Sequence, residues 1–245
     1  MDRQFAEAYE GYVGWHWWFR GRQRILESAL RREIGSSRSL SIASVGCGPP
    51  NTLTWLTPFT EPGGRLVGLD ADPSHASPKS SLNFVVGRLE ASPLTSRSFD
   101  VLLALDVLEH LDNDVLGLRE AARMAKPGGL IVVTVPALPW LWGNQDIINH
   151  HRKRYTERSL RRVFSDARLP SPRVTYFNTL LFPPIAVMRC LRSVAGSSRQ
   201  PRSDFDGARP GIANEILAAV FSLERWWVGR IPMPIGVSLL AAVRV

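Results

Sequence analysis

The sequence has few of the features that mark disulfide-rich, metal-rich or membrane-spanning proteins. It contains two cysteines, Cys47 and Cys190, in 245 residues, which excludes a disulfide scaffold and a cysteine-rich metal site. The apolar runs at 180–191 and 216–221 are shorter than the roughly 20 residues of a membrane-spanning helix, and the start shows no signal-peptide pattern. We therefore expect a chain that works in the reducing cytoplasm.

Acidic residues are scarce in one part of the chain. The formal net charge is +8, whereas the segment 152–199 alone carries +9, with eleven Lys or Arg against two acids, so the rest of the chain is close to neutral. Such a segment is either a solvated helix face or the contact for an anionic partner, whether phosphate, nucleic acid or lipid headgroup.

Short apolar runs alternate with helical patterns along most of the sequence, and the length fits one α/β domain. This alternation is typical of a doubly wound, mostly parallel sheet with its site at the carboxyl ends of the strands. Seven strands are predicted, at 42–45, 65–69, 82–86, 101–105, 130–135, 173–177 and 236–245.

We expect one domain over 1–245. Within it we predict an N-terminal helical lid at 1–38, a ligand-binding core at 39–178, a helical insert at 179–235 and the last strand at 236–245.

The segment that follows the first strand contains the clearest binding signal. Gly46 and Gly48 allow a tight turn and a close approach of the backbone to a ligand, and a helix over 52–57 is expected to follow. Asp70 ends the second strand, where a carboxylate can accept hydrogen bonds from the two hydroxyls of a ribose. Further along, Pro-Gly-Gly at 127–129 is expected to stop a helix.

Four motifs occur in a fixed order: VGCGPP, the acid that ends strand two, FDVLLALDVLEHL and PGGLIVVTVP. Together they resemble the class I S-adenosylmethionine-dependent methyltransferases, in the group that acts on small molecules. An NAD-binding pattern would need glycine where Asn51 stands. The resemblance implies a Rossmann-like methyltransferase fold, S-adenosylmethionine as cofactor and S-adenosylhomocysteine as product.

The resemblance also implies which residues bind the cofactor. Main-chain atoms of the glycine turn would support the methionine and sugar, Asp70 would bind the ribose, and Leu89 would pack on the adenine. Three positions depart from the family pattern: Ser44, Pro50 and Arg88, of which Arg88 cannot accept a hydrogen bond, so Glu90 or a carbonyl must replace it. The predicted cofactor-binding residues are Gly46, Cys47, Gly48, Asp70, Ala71, Leu89, Glu90, Asp106 and Val107.

Two further segments are candidates for the acceptor side. The aromatic segment at 15–19 is either a hydrophobic staple or a lid over the ligand. The segment NHHRKRYT at 149–156 resembles the HxRRYT-type loop that folds over the pocket in small-molecule methyltransferases, and it offers His150 or His151 as a general base or as a loop-stabilising group. Predicted acceptor-binding residues are Trp15, Trp18, Phe19, His110 and Tyr155, and predicted catalytic residues are His150, His151 and Asp106.

No metal site is predicted, because adjacent histidines point in different directions and no third ligand is spaced to join them. His110 either shares a surface with Asp106 or simply begins a helix with Glu109.

The predicted reaction is methyl transfer to an oxygen, nitrogen or carbon of a small, partly apolar acceptor, by a monomer or homodimer. The alternatives are an RNA methyltransferase, which the basic segment suggests, peripheral work at a membrane on a lipid acceptor, and a cofactor-binding protein without activity. Nucleic acid is disfavoured because strand four lacks the Asn/Asp-Pro-Pro-aromatic motif.

Overall fold

Seven strands form one sheet in the order β3-β2-β1-β4-β5-β7-β6. Neighbours pair in parallel except β7, which is antiparallel to both β5 and β6. This computed structural model describes residues 11–37, 39–76, 82–194, 203–205 and 209–245, so the first ten residues of the predicted lid lie outside the described residues. The doubly wound, mostly parallel sheet is confirmed. The strands are β1 (Ser41–Val45), β2 (Arg65–Asp70), β3 (Asn83–Val86), β4 (Phe99–Leu105), β5 (Ala125–Pro136), β6 (Arg173–Phe177) and β7 (Ser238–Arg244).

Helices cover both faces of the sheet. They are α1 (Trp17–Ile34), α2 (Thr57–Thr60), α3 (Asp114–Met124), α4 (Asn144–Ile148), α5 (Glu157–Asp166), α6 (Phe182–Val194) and α7 (Ile212–Leu223). Successive side chains of a strand point to opposite faces, so Ile42 of β1 packs on the α1 side while Ala43 and Val45 pack on the α3 side. Both faces are apolar, as a parallel sheet requires.

The helices α1 and α7 pack closely on one another beside the sheet. A side chain at Gly21 would collide with the ring of Phe221, so glycine is what permits this approach. Asn214 of α7 accepts from the main-chain N–H of Trp17 at 2.9 Å and donates to the carbonyl of Trp15 at 2.8 Å. Asn214 of the insert therefore fixes the beginning of α1 to α7.

The helix expected over 52–57 is present as the 3₁₀ helix Pro50–Leu56, which continues into α2. One local prediction is wrong. The Pro-Gly-Gly at 127–129 does not stop a helix, because α3 already ends at Met124 and β5 begins at Ala125. Instead Gly128 has φ 77°, in a part of β5 where the pairing with β4 is irregular between Phe99 and Val101.

Within the described ranges, no helix combines the length and the apolar character needed to cross a membrane.

Candidate active site

The glycine turn lies at the carboxyl end of β1. Gly46 has φ 58° and Gly48 has φ 63°, values that disfavour residues with a side chain. A Cβ on Gly46 would lie 2.6 Å from Cγ2 of Val107, whereas one on Gly48 would meet nothing within 4 Å. Gly46 is therefore fixed by packing against the loop after β4, and Gly48 faces open space.

Asp70 ends β2 and is tied to this turn. Its Oδ2 accepts from the N–H of Gly48 at 2.7 Å and its Oδ1 from the N–H of Asp72 at 2.9 Å. Burial alone would raise the pKa of Asp70, but hydrogen bonds from His75, Asp72 and Gly48 outweigh burial and lower it. The carboxylate is ionised at neutral pH and is suited to accept from hydroxyl groups.

The turn after β3 carries the residues predicted beside the adenine. Leu89 is buried; the other predicted cofactor contact, Ala71, follows Asp70 at the end of β2 and is exposed. Arg88 points outward and lies 3.4 Å from both Glu90 and Asp112. Glu90 therefore lies near the position predicted for it, but its carboxylate already pairs with Arg88.

Asp106 follows β4 and binds a residue that the sequence analysis missed. The guanidinium of Arg22, in α1, donates to Oδ2 of Asp106 at 2.6 Å and to Oγ1 of Thr134 at 3.2 Å, and Thr134 donates to Oδ1 of Asp106 at 3.1 Å. Asp106 has φ 59°, which is uncommon for a non-glycine residue and is frequent at functional sites. Arg22 and Asp106 are 84 positions apart in the sequence, so no local sequence pattern could indicate that they pair.

A cavity of about 70 Å³ adjoins the glycine turn. Its lining includes Phe19 and Arg22 from α1, and Ser44, Gly46 and Cys47 from the turn. Burial and the nearby Asp70 raise the pKa of the Cys47 thiol to about 12. The thiol is therefore neutral and forms a weakly polar part of the cavity lining.

The chemical groups at and near the glycine turn are those that S-adenosylmethionine would require. Asp70 offers an ionised carboxylate for hydroxyls, Gly48 has open space beside it, and Leu89 offers an apolar surface. Small-molecule sites usually enclose ~300 Å³ or more, so the enclosed cavity beside α1 accommodates only a portion of such a ligand.

Next to Asp106, three side chains form what we call the histidine–glutamate cluster: Glu109, His110 and His151. Glu109 and His110 lie in the 3₁₀ turn Leu108–His110 rather than beginning a helix, since α3 starts at Asp114 with Asn113 as its cap. One possible ligand atom from each side chain lies within 4.8 Å of the others. The sequence showed no third ligand to join the adjacent His150 and His151; the structure instead brings Glu109 and His110, which are distant in the sequence, beside His151.

Glu109 is fully buried. Burial raises its pKa well above the usual range, and the charge of Asp106 adds to the effect. Burial and the proximity of His151 lower the pKa of His110 to about 4, so His110 is neutral at neutral pH.

Asp146, in α4, positions His151 and was also missed. It is fully buried; its Oδ1 lies 2.9 Å from Nδ1 of His151 and accepts from Arg154 at 2.8 Å, and its Oδ2 accepts from Gly143 at 2.8 Å. Burial would raise the pKa of Asp146, but His151, Arg154 and Arg189 lower it to about 2. Because an ionised carboxylate only accepts hydrogen bonds, Nδ1 of His151 carries the proton of this contact, and Nε2 is the ring nitrogen that faces Glu109. An acid five residues before His151 in a long loop was the available signal.

The other two predicted residues of this loop lie elsewhere. The side chain of His150 is exposed and is not part of the histidine–glutamate cluster. Tyr155 is 1% exposed and its hydroxyl donates to Asp114 at 2.9 Å. The prediction that Tyr155 contacts an acceptor is wrong for this structure, because its ring is packed in the core.

The aromatic segment at the start of α1 packs against the insert. The ring of Phe205 lies 4.6 Å from that of His16, 5.7 Å from Phe19 and 6.1 Å from Trp18. Trp15 lies 5.6 Å from His16. The segment is thus a staple between α1 and the insert, and Phe19 also reaches the cavity.

The basic segment is largely neutralised within the chain. Arg154 and Arg189 pair with Asp146 inside the molecule. Further pairs from this segment are Arg152–Asp112, Lys153–Asp114, Arg161–Glu157, Arg162–Asp166 and Arg173–Glu33. The charge excess therefore does not form a free anion-binding surface from these residues.

Residues 43–133 match the family model described as a methyltransferase domain. The ubiquinone biosynthesis O-methyltransferase of Azorhizobium caulinodans is 32% identical over 111 residues, which cover 42% of this chain and 43% of that protein. An uncharacterized methyltransferase of Mycobacteroides abscessus is 27% identical over 208 residues, 80% of this chain and 71% of that one. The chain spans half the length or less of several other curated relatives that it matches.

Similarity to solved structures extends along the whole chain. A chain in the complex between the Haloferax volcanii Trm112 methyltransferase activator and a methyltransferase has a TM-score of 0.61 at 19% identity, with 98% of this chain and 94% of that chain covered. At this identity the similarity concerns the fold alone. The chain therefore contains a methyltransferase domain over residues 43–133 and has the fold of S-adenosylmethionine-dependent methyltransferases.

Proposed function

We propose that this chain transfers a methyl group from S-adenosylmethionine to a hydroxyl oxygen of a small, partly apolar acceptor. The observation that supports it most is the histidine–glutamate cluster. Two of its members, Glu109 and His110, lie a few residues after Asp106 at the carboxyl end of β4. The glycine turn ends the neighbouring strand β1 at the same edge of the sheet. Acceptor and cofactor would therefore meet between these two segments.

Asp70 would hold the cofactor's ribose, main-chain atoms at Gly46 and Gly48 its methionine, and Leu89 its adenine. When bound, the cofactor supplies an electrophilic methyl carbon and leaves as S-adenosylhomocysteine. The protein's own task is to exclude water and to hold the acceptor atom ~3 Å from that carbon. Phe19 and Trp18 would close one side of the site.

The cluster favours oxygen as the acceptor atom. A hydroxyl must lose its proton as it attacks, whereas a neutral amine can attack first and lose a proton later. His110 is neutral at neutral pH, and Asp146 holds Nδ1 of His151 so that Nε2 faces Glu109, so the cluster can bind and stabilise a hydroxyl that is losing its proton. The O-methyltransferase relative from Azorhizobium caulinodans supports this choice.

We further propose that the insert 179–235 selects the acceptor, and that the protein acts in the cytoplasm as a monomer or homodimer. An RNA acceptor loses its main support because most described cations of the basic segment are paired within the chain.

Calorimetry with S-adenosylmethionine and S-adenosylhomocysteine is the first test, followed by S-adenosylhomocysteine release with a panel of matched phenols and anilines. We expect binding of both nucleosides and turnover with phenols. Glu109→Gln should lower kcat by ~10²-fold or more with unchanged S-adenosylhomocysteine affinity, and the exposed Arg158→Ala should change neither. Turnover of anilines alone would refute the oxygen assignment, and absence of nucleoside binding would refute the function as a whole. Binding without turnover on any acceptor would favour a cofactor-binding protein without activity.

A further inference from the structure

The histidine–glutamate cluster has the composition and spacing of a cation site. Nε2 of His151 lies 3.8 Å from Oε1 of Glu109, which is too long for a hydrogen bond. The rings of His110 and His151 have centroids 4.8 Å apart and are inclined at 79°, and one nitrogen of each ring lies within 4.8 Å of the other and of a carboxylate oxygen of Glu109. Metal–ligand bonds of ~2.0–2.2 Å place two ligand atoms at up to about 4 Å from each other, close to these separations.

Glu109 is the unusual member of the cluster. Its side chain is 0% exposed, and neither carboxylate oxygen has a hydrogen-bond partner among the described residues. Buried charged groups are normally paired or coordinate metals, because removal from water is costly. Both oxygens of Glu109 are therefore available to a ligand, and a bound cation would stabilise the ionised carboxylate that burial otherwise disfavours.

The histidines are held in place from outside the cluster. Asp146 binds Nδ1 of His151, which is the arrangement by which a carboxylate orients a metal-binding imidazole and raises its basicity. Arg152 ties the loop to the turn of Glu109 and His110, since its N–H donates to the Glu109 carbonyl at 2.8 Å and its Nε to the His110 carbonyl at 3.1 Å. The site is built from two segments that are fixed to each other.

We propose that Glu109, His110 and His151 bind one divalent transition-metal cation of the Zn²⁺ or Mn²⁺ type. Two imidazoles and one carboxylate suit such ions, whereas Mg²⁺ and Ca²⁺ prefer oxygen ligands throughout. Three protein ligands leave at least one coordination position open.

The open position is where the acceptor hydroxyl binds, a step that rests on the proposed function. A coordinated hydroxyl has a lowered pKa, so its proton passes to solvent water. The oxygen then forms the new C–O bond, and the electron pair of the broken C–S bond stays on sulfur. The cluster thus promotes loss of the proton through the cation, and Asp146 is a positioning residue.

Metal binding is tested on the tag-free, full-length chain without cofactor or acceptor. After EDTA treatment and dialysis, titration with Zn²⁺ and separately with Mn²⁺ is followed by calorimetry, and bound metal is counted by elemental analysis. We expect one ion per chain. Glu109→Gln and His151→Ala should weaken binding by more than 100-fold, and Asp146→Asn by ~10–100-fold. His150→Asn, which alters the exposed neighbouring histidine, should leave affinity unchanged; Asn tolerates the φ of 56° at this position.

Folding is controlled separately. Glu109→Gln keeps the shape of the side chain and removes only its capacity to ionise, so its circular dichroism and unfolding midpoint should match those of the metal-free parent. No bound ion in the parent protein, or equal binding by Glu109→Gln, His151→Ala and the parent, would overturn the proposal. S-adenosylhomocysteine binding is measured in parallel: nucleoside binding without metal binding refutes the metal site alone, and metal binding without nucleoside binding refutes the proposed function alone.

Discussion

The guanidinium of Arg22 lies 2.6 Å from Oδ2 of Asp106 and joins the first described long helix, α1, to the residue that follows β4. Both side chains are largely shielded from solvent, with 14% and 24% exposed. Arg22 also lines the cavity beside the glycine turn. The pair therefore links α1 to the residue at the carboxyl end of β4.

Replacing Arg22 by alanine should destabilise the protein by ~1–3 kcal/mol, because Asp106 loses a charged partner in a partly buried place. The comparison is Arg20→Ala on the same helix, which removes the exposed pair with Glu215 and should cost less than ~1 kcal/mol. Urea unfolding of both variants measures the difference. Equal losses of unfolding free energy in the two variants would show that the Arg22–Asp106 pair stabilises the protein no more than the exposed Arg20–Glu215 pair does.

Much of this architecture was predictable from local sequence. The strands β1, β2 and β4 are apolar runs that end in glycine or an acid, and parallel pairing places those ends at one edge. The contacts of Glu109 with His151 and of Arg22 with Asp106 were not predictable, since they join residues 42 and 84 positions apart and depend on how the loop and α1 fold back.

Asp70→Ala should lower the affinity for S-adenosylmethionine by ~10–100-fold, because a hydrogen bond to a charged group contributes about 1.5–3 kcal/mol. Asp70→Asn should lie between this variant and the parent, since the amide oxygen still accepts from Gly48. Calorimetry measures the affinities, with Asp72→Ala as the matched exposed acid that should have little effect. Unchanged affinity of Asp70→Ala would contradict the ribose role.

Tyr155→Phe tests whether this residue supports the core or contacts the acceptor. The buried hydroxyl donates to Asp114, and its loss should cost ~1–2 kcal/mol of unfolding free energy. The acceptor KM should stay the same, because the ring lies in the core. A raised KM with unchanged stability would restore the acceptor-binding role predicted from sequence.

Stability should fall on mild acidification because of His16. This residue is 0% exposed among aromatic rings, and burial lowers its pKa from 6.5 to about 4. Between these two values the unfolded chain binds a proton that the folded chain does not, so stability is lost as the pH falls from about 6.5 to about 4.

Each pKa unit corresponds to ~1.4 kcal/mol, so the contribution of His16 reaches about 3 kcal/mol at the acidic end of this range. Nδ1 of His16 accepts from the N–H of Trp18 at 3.2 Å, a capping role that asparagine can also fill. His16→Asn should therefore keep the cap and flatten the dependence of unfolding free energy on pH between about 6.5 and 4. Urea unfolding at four pH values measures that slope. The control His150→Asn, at an exposed position, should show the same slope as the parent protein. If His16→Asn also shows the parent's slope, then either His16 is charged in the folded protein or α1 opens before His16 titrates.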